Sequence, residues 1–121
     1  MDRQIAEALT RGGLIDITTT GRRSGLSRRI EIVFHNVGGR IYISGRPSRR
    51  KRAWIANLEA DPHMTCHLKR GVVADLPATA RVIDDEPERR LIMPAIARAW
   101  NTSPEPMIAA SPLIEVTFED L

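Results

Sequence analysis

The segment "RRIEIVFH", residues 28–35, sets Ile30, Ile32 and Phe34 against Glu31, Val33 and His35, the two-residue period of a strand with one buried face. Ahead of it, "LIDITTT" is rich in β-branched residues and runs into "GRRSG", a turn by its glycines and serine. After it, "NVGGR" makes a hairpin turn into "IYIS", so these three segments predict an antiparallel meander. At the start of the chain, "RQIAEALTR" (3–11) carries Ile5, Ala8 and Leu9 at helical spacing, and Gly12-Gly13 ends that helix.

Beyond the meander, "SRRKRAWIANLEADP" (48–62) predicts a helix that starts at Ser48 and stops before Pro62. "HMTCHLK" and "VVADLPATARVI" read as two further strands joined at Arg70-Gly71. Asp85, with Glu88 three positions later and Pro87 in the first turn, marks a capping-box-like helix start for "EPERRLIMPAIARAW". Pro94 predicts a kink or interruption in that helix. "SPLIEVTF" closes the series as a last strand. Six mostly antiparallel strands with few helices predict a mainly β, α+β fold: a single domain over 1–121 built as a small barrel flanked or plugged by helices.

Composition agrees with this reading. A hydrophobic fraction of 42% and a charged fraction of 27% support one core and argue against disorder. No apolar run reaches the length of a membrane span, and the first residues lack the apolar stretch of a signal peptide, so a cytoplasmic protein is expected. The single cysteine, Cys66, excludes an internal disulfide framework.

Charge changes the picture more. From Ile17 to Leu58 there are ten bases (Arg22, Arg23, Arg28, Arg29, Arg40, Arg46, Arg49, Arg50, Lys51, Arg52) and one acid, Glu31, a net +9. The remainder carries −6, for a total of +3. In the helix expected at 48–62 the bases crowd the start while Glu59 and Asp61 sit at the end, the reverse of what a helix dipole favours. An anion at that helix start would resolve the conflict, because free N–H groups and guanidinium forks together make a phosphate site. The ends of the first and third strands of a meander share one sheet edge, so the Arg22–Arg29 and Arg46–Arg52 clusters are expected to converge. Gly21 and Gly25 would let the turn approach a ligand closely.

Other conspicuous types read as structure. Trp54 and Leu58 form an apolar helical stripe, expected to pack in the core. "HMTCH" offers His63, Cys66 and His67, but Cys66 and His67 point to opposite faces of a strand and a fourth ligand is missing, so no metal is expected. Asp84, Asp85, Glu86 and Glu88 serve helix capping and the dipole. Aromatic content is only 4%, with little interleaving among the bases, which disfavours nucleic-acid binding despite the charge.

"TTTGRRSGLSRR", followed by "GGRIYISG" and "AWIANLEADP", resembles the deazaflavin-dependent nitroreductase family, whose members carry a T-T-G-R-[KR]-[ST]-G-x-x-R turn and a W-x-x-N-L-x-A-[ND]-P helix end. The likeness covers residues 14–69 in order and spacing. It implies a six-stranded antiparallel split β-barrel, related to FMN-binding barrels, that binds coenzyme F420, a deazaflavin with a phosphodiester and polyglutamate tail. By that likeness Arg22, Arg23, Ser24, Gly25 and Arg28 contact phosphate and tail, and the stretch from Ser44 and Gly45 onward meets the ring. Arg50, Lys51 and Arg52 also hold the tail, while Trp54 and Asn57 fix the helix to the barrel. The implied activity is hydride transfer to a small-molecule enone, quinone or nitro compound by a monomer or homodimer. Tyr42, His35 and His67 are the nearest proton donors by type. The alternatives are an FMN-binding oxidoreductase of the same fold, a cofactor carrier without turnover, and a non-catalytic barrel binding phosphate or nucleic acid.

Overall fold

A computed structural model describes residues 2–119. The helix expected at the start is α1, Arg3–Arg11, capped by the Asp2 carboxylate, which accepts from the N–H groups of Gln4 and Ile5. Strands β1 (Gly13–Thr20), β2 (Ser27–Val37) and β3 (Arg40–Ser44) form the antiparallel meander. Helix α2 (Ala53–Ala60) follows, then β4 (His63–Leu68) and β5 (Ala74–Val82). Helices α3 (Glu86–Ala99) and α4 (Pro104–Ala110) precede the last strand, β6 (Leu113–Phe118).

The six strands close into an antiparallel barrel, as the sequence predicts, and their order around it is β1-β2-β3-β6-β5-β4. Strand alternation fills the interior with Ile15, Ile17, Phe34, Ile43, Met64, Cys66, Ala78 and Ile114. Ala8 and Leu9 of α1 join this cluster at the end where β1 and β3 begin; Ile55 and Leu58 of α2 join it at the opposite end. A second apolar layer lies outside the barrel wall, where Tyr42 and Leu113 meet Met93, Ile96, Met107 and Ile108 of α3 and α4.

Three local features differ from the sequence reading. The helix expected from Ser48 begins only at Ala53, because the Ser48 hydroxyl accepts from the Arg50 N–H (3.3 Å) and donates to its carbonyl (2.9 Å), a local turn that competes with a helix start. The chain is also tethered there by the Ser48 N–H on the Ala110 carbonyl at 3.0 Å. Pro94 does not interrupt α3, whose buried Met93, Ile96 and Ala97 hold it against the second layer. The break falls instead after Trp100, where Asn101 takes a left-handed backbone (φ 53°), and a further helix, α4, follows.

Candidate cofactor site

The β1–β2 turn is closed by its own backbone. The Gly21 N–H donates to the Leu26 carbonyl and the Gly25 N–H to the Gly21 carbonyl, each at 2.8 Å. The Ser24 hydroxyl accepts from the Leu26 N–H at 3.1 Å. A Cβ at position 21 would fall 2.7 Å from that hydroxyl, and Gly25 sits at φ +70°, so the turn needs both glycines.

Asn57 docks this turn onto α2. It is 5% exposed, and its Oδ1 accepts from the Arg22 backbone N–H at 3.1 Å and from Arg22 Nη1 at 3.4 Å. Its amide donates to Thr19 Oγ1 at 3.4 Å. Asn57 thus fixes helix, strand end and turn together, as the motif resemblance implies for this residue.

Turn and helix enclose a cavity of about 330 Å³ lined by Gly21, Arg22, Arg23, Ser24, Arg28, Ile30, Ala53, Trp54 and Asn57. Trp54 is half-buried: it packs against the barrel core, as expected, and also forms part of the cavity wall. Arg22, Arg23 and Arg28 are exposed and have no carboxylate within ion-pair distance among the described residues. Three guanidiniums facing one cavity without counter-charge suit an anion.

The second basic cluster meets α2 on its other flank. Helical periodicity turns Ala53, Trp54 and Asn57 toward the turn and Ile55 away from it. Arg50, Lys51 and Arg52 accordingly line a different cavity with Ile55, so the expected convergence stops at the helix. The reversed charge pattern is partly answered within the chain, since Lys51 Nζ reaches Glu59 at 2.7 Å and that contact raises its pKa. Arg52 donates to the Arg46 carbonyl at 2.8 Å.

Ser44 is buried at the end of β3, with its hydroxyl on the Pro112 carbonyl at 2.7 Å. Gly45 is the first residue past the strand and is half-buried.

The three proton-donor types lie elsewhere. Tyr42 is 4% exposed beneath α3 and α4, and burial, with Glu115 nearby, raises its pKa. His35 accepts from Trp100 Nε1 at 3.0 Å, and burial lowers its pKa. His67 lies between Thr18 Oγ1 and Asp75 Oδ1, each at 2.6 Å. Cys66 points into the barrel, where burial pushes its thiol up to about 12.

Sequence reasoning missed Arg89 and Ser111. Arg89 is 8% exposed and donates to the carbonyls of Ile83, Met107, Ile108 and Ser111. Its spacing with Met93 and Ile96, four and seven positions on, put an arginine on the apolar face of α3, a signal available in the sequence.

The fold is a closed six-stranded antiparallel barrel whose β1–β2 turn carries three arginines without an acidic partner among the described residues. The family model described as F420H(2)-dependent quinone reductase matches residues 2–104, and the chain belongs to that family. It is an F420-dependent oxidoreductase. Among solved structures, an F420-H2 dependent reductase superposes with a TM-score of 0.62 at 21% identity, covering 87% of this chain and 94% of that one. A conserved hypothetical protein from Mycobacterium tuberculosis gives 0.72 at 14% identity, covering 98% and 81%. A FAD-binding protein from Mesorhizobium loti gives 0.62 at 11% identity, covering 96% and 86%. At these identities the three support the fold alone.

Proposed function

We propose that the chain holds the phosphodiester end of F420 on the β1–β2 turn and passes hydride to a small quinone, enone or nitro compound. The observation that carries this reading is the turn itself: it is locked onto α2 through Asn57 and presents Arg22, Arg23 and Arg28, none paired with an acid among the described residues, to one cavity. Arg22, Arg23 and Arg28 bind the phosphate, while Ser24 and Gly25 set the turn's shape around it. Gly45, with no side chain in the way and its predecessor Ser44 fixed to Pro112, offers backbone to the ring. Trp54 walls the site against water. Arg50, Lys51 and Arg52 stand across α2, where the far end of the tail would reach.

When bound, F420 supplies the two-electron hydride chemistry, and the chain supplies binding and orientation. Tyr42, His35 and His67 do not line the turn cavity, so none of them contacts the phosphate end held there.

The test is a fluorescence titration with F420, run beside FMN and a short DNA duplex at two salt concentrations. Saturable binding that prefers F420 is expected. The double variant Arg23→Glu, Arg28→Glu should lose about a hundredfold in affinity, two charge-assisted hydrogen bonds' worth, with its melting temperature unchanged. Unchanged affinity in the folded variant would overturn the turn as the phosphate site. Reoxidation of reduced F420 by a quinone, an enone and a nitroarene in parallel then ranks the acceptors.

A further inference from the structure

A cavity of about 270 Å³ lies on the far flank of α2, between the 46–52 segment, the end of β5 and the α4–β6 connection. The Ser48 N–H on the Ala110 carbonyl holds that segment in place, so Arg50, Lys51 and Arg52 share the cavity with Arg89 and Ser111. Two of these groups are left unanswered by the fold.

Ser111 is 3% exposed, and its hydroxyl is the buried side-chain polar atom without a hydrogen-bond partner among the described residues. Buried hydroxyls are ordinarily satisfied, so an orphan lining a cavity points to something that occupies it. Arg89 is the second group. Four of its five N–H donors go to main-chain carbonyls, and no carboxylate lies within ion-pair distance of it among the described residues. Carbonyl dipoles satisfy its hydrogen bonds, and the Asp84 carboxylate, beyond ion-pair distance, offsets only part of its formal charge.

The rest of the lining has the same sign. Arg50 and Arg52 have no acidic partner among the described residues, and Lys51 is held by Glu59. Asp84 is the lone carboxylate on the cavity wall. Ile55 and Val82 add an apolar side.

We propose that this cavity is a second oxyanion site, separate from the turn, that takes a carboxylate or phosphate group between Arg50, Arg89 and the Ser111 hydroxyl. Its volume, at the small end for ligand pockets, suits one such group with a short apolar attachment. The proposal stands on the cavity and is independent of the cofactor assignment. The oxyanion has two sources: the glutamate end of the F420 tail passing round α2, or a separate small anion.

The test uses inorganic phosphate as probe and the amide and arginine Nε–H resonances of the full chain as readout. Saturable shifts at Ser111, Arg89 and Arg50 are expected. Ser111→Ala should weaken phosphate binding there about tenfold, the worth of one hydrogen bond to a charged group. Arg50→Gln, an exposed change that leaves the core alone, should weaken it by at least as much, whereas Arg23→Glu should leave it untouched. Absence of saturable shifts, or shifts confined to residues 21–28, would overturn the site. Displacement of phosphate by glutamylated F420 and not by a form cut after the phosphodiester would assign the oxyanion to the tail; displacement by neither would assign it to a separate anion. Should F420 fail to bind at all, the turn reading falls while the phosphate arm still reads out this cavity.

Discussion

Around Arg81 the charges of this protein close on one another, whereas around Arg23 they are left open. Arg81 reaches Glu88 through both Nη atoms, at 3.0 and 2.6 Å, and Glu115 at 2.9 Å. Arg40 lies 3.5 Å from the same Glu115. Arg90 bridges Glu86 and Glu105, each at 2.9 Å. This network ties β5, β6 and the two C-terminal helices, and its pKa shifts have the expected signs: the Arg81 contact lowers Glu88, and Glu88 with Glu115 raises Arg81. On the α2 side, by contrast, Arg22, Arg23, Arg28, Arg46, Arg49, Arg50 and Arg52 lack acidic partners among the described residues. The first group is paired within the fold, and the second lies in a stretch of chain nearly without acids, which is why it stays open.

Arg89 offers the largest way to break that contrast, because it is a fold-holding cation inside the open region. Arg89→Met should cost about 3–5 kcal/mol by leaving four main-chain carbonyls without their donor, seen as a fall in urea midpoint. A loss below 1 kcal/mol would mean that water replaces the guanidinium. Asn57→Ala comes next. It strands the Arg22 N–H and frees the turn, so about 1–3 kcal/mol of stability and most F420 affinity should go together. Affinity preserved in that variant would show that the turn keeps its shape without α2.

Salt sharpens the contrast further. Raising ionic strength from about 0.05 to 0.5 M should weaken F420 binding severalfold while moving the melting temperature little, because the open charges are exposed and screened. A pH effect follows from His35. Burial lowers its folded pKa, so the unfolded chain takes up the proton first, and stability should fall as pH drops below about 6.5 toward the lower folded value. Loss of the Trp100 hydrogen bond makes tryptophan fluorescence the natural readout, and His35→Phe should flatten the slope. The smallest effect is expected at Arg81→Gln, under about 1 kcal/mol, since these pairs are half-exposed.

What the sequence made legible was local. Period-two alternation at Ile30–His35, the Gly12-Gly13 stop and the Asp85–Glu88 cap each follow from neighbours in the chain, and each is found in the fold. The turn at 21–26 is similarly local, so its shape and its basic residues are readable from the sequence alone. Ser48 misled because a side chain that can cap a helix can equally bond its own turn. The short α4, bracketed by prolines in "SPEPMIAASP", carried too little periodicity to register. The Arg89–Ser111 cavity was beyond reach for a different reason. Its partners lie 22 positions apart and meet only because α3 and α4 pack over the outside of the barrel. No pattern within one helix encodes that meeting.

The strand order has a consequence for how the chain acquires its structure. β6 lies between β3 and β5, pairing Ser44 with Leu113 on one side and Val82 with Ile114 on the other. The first five strands can zip locally into two sheets, β1-β2-β3 and β4-β5, joined at the three-residue seam of Asp16–Thr18 with Thr65–His67. They cannot become a ring until residues 113–118 arrive. Without residues 113–118 the sheet has two open edges, β3 and β5, and closing it is a long-range step that carries a loop-entropy cost. Chaperones that shield unpaired strand edges would have most to do before that step.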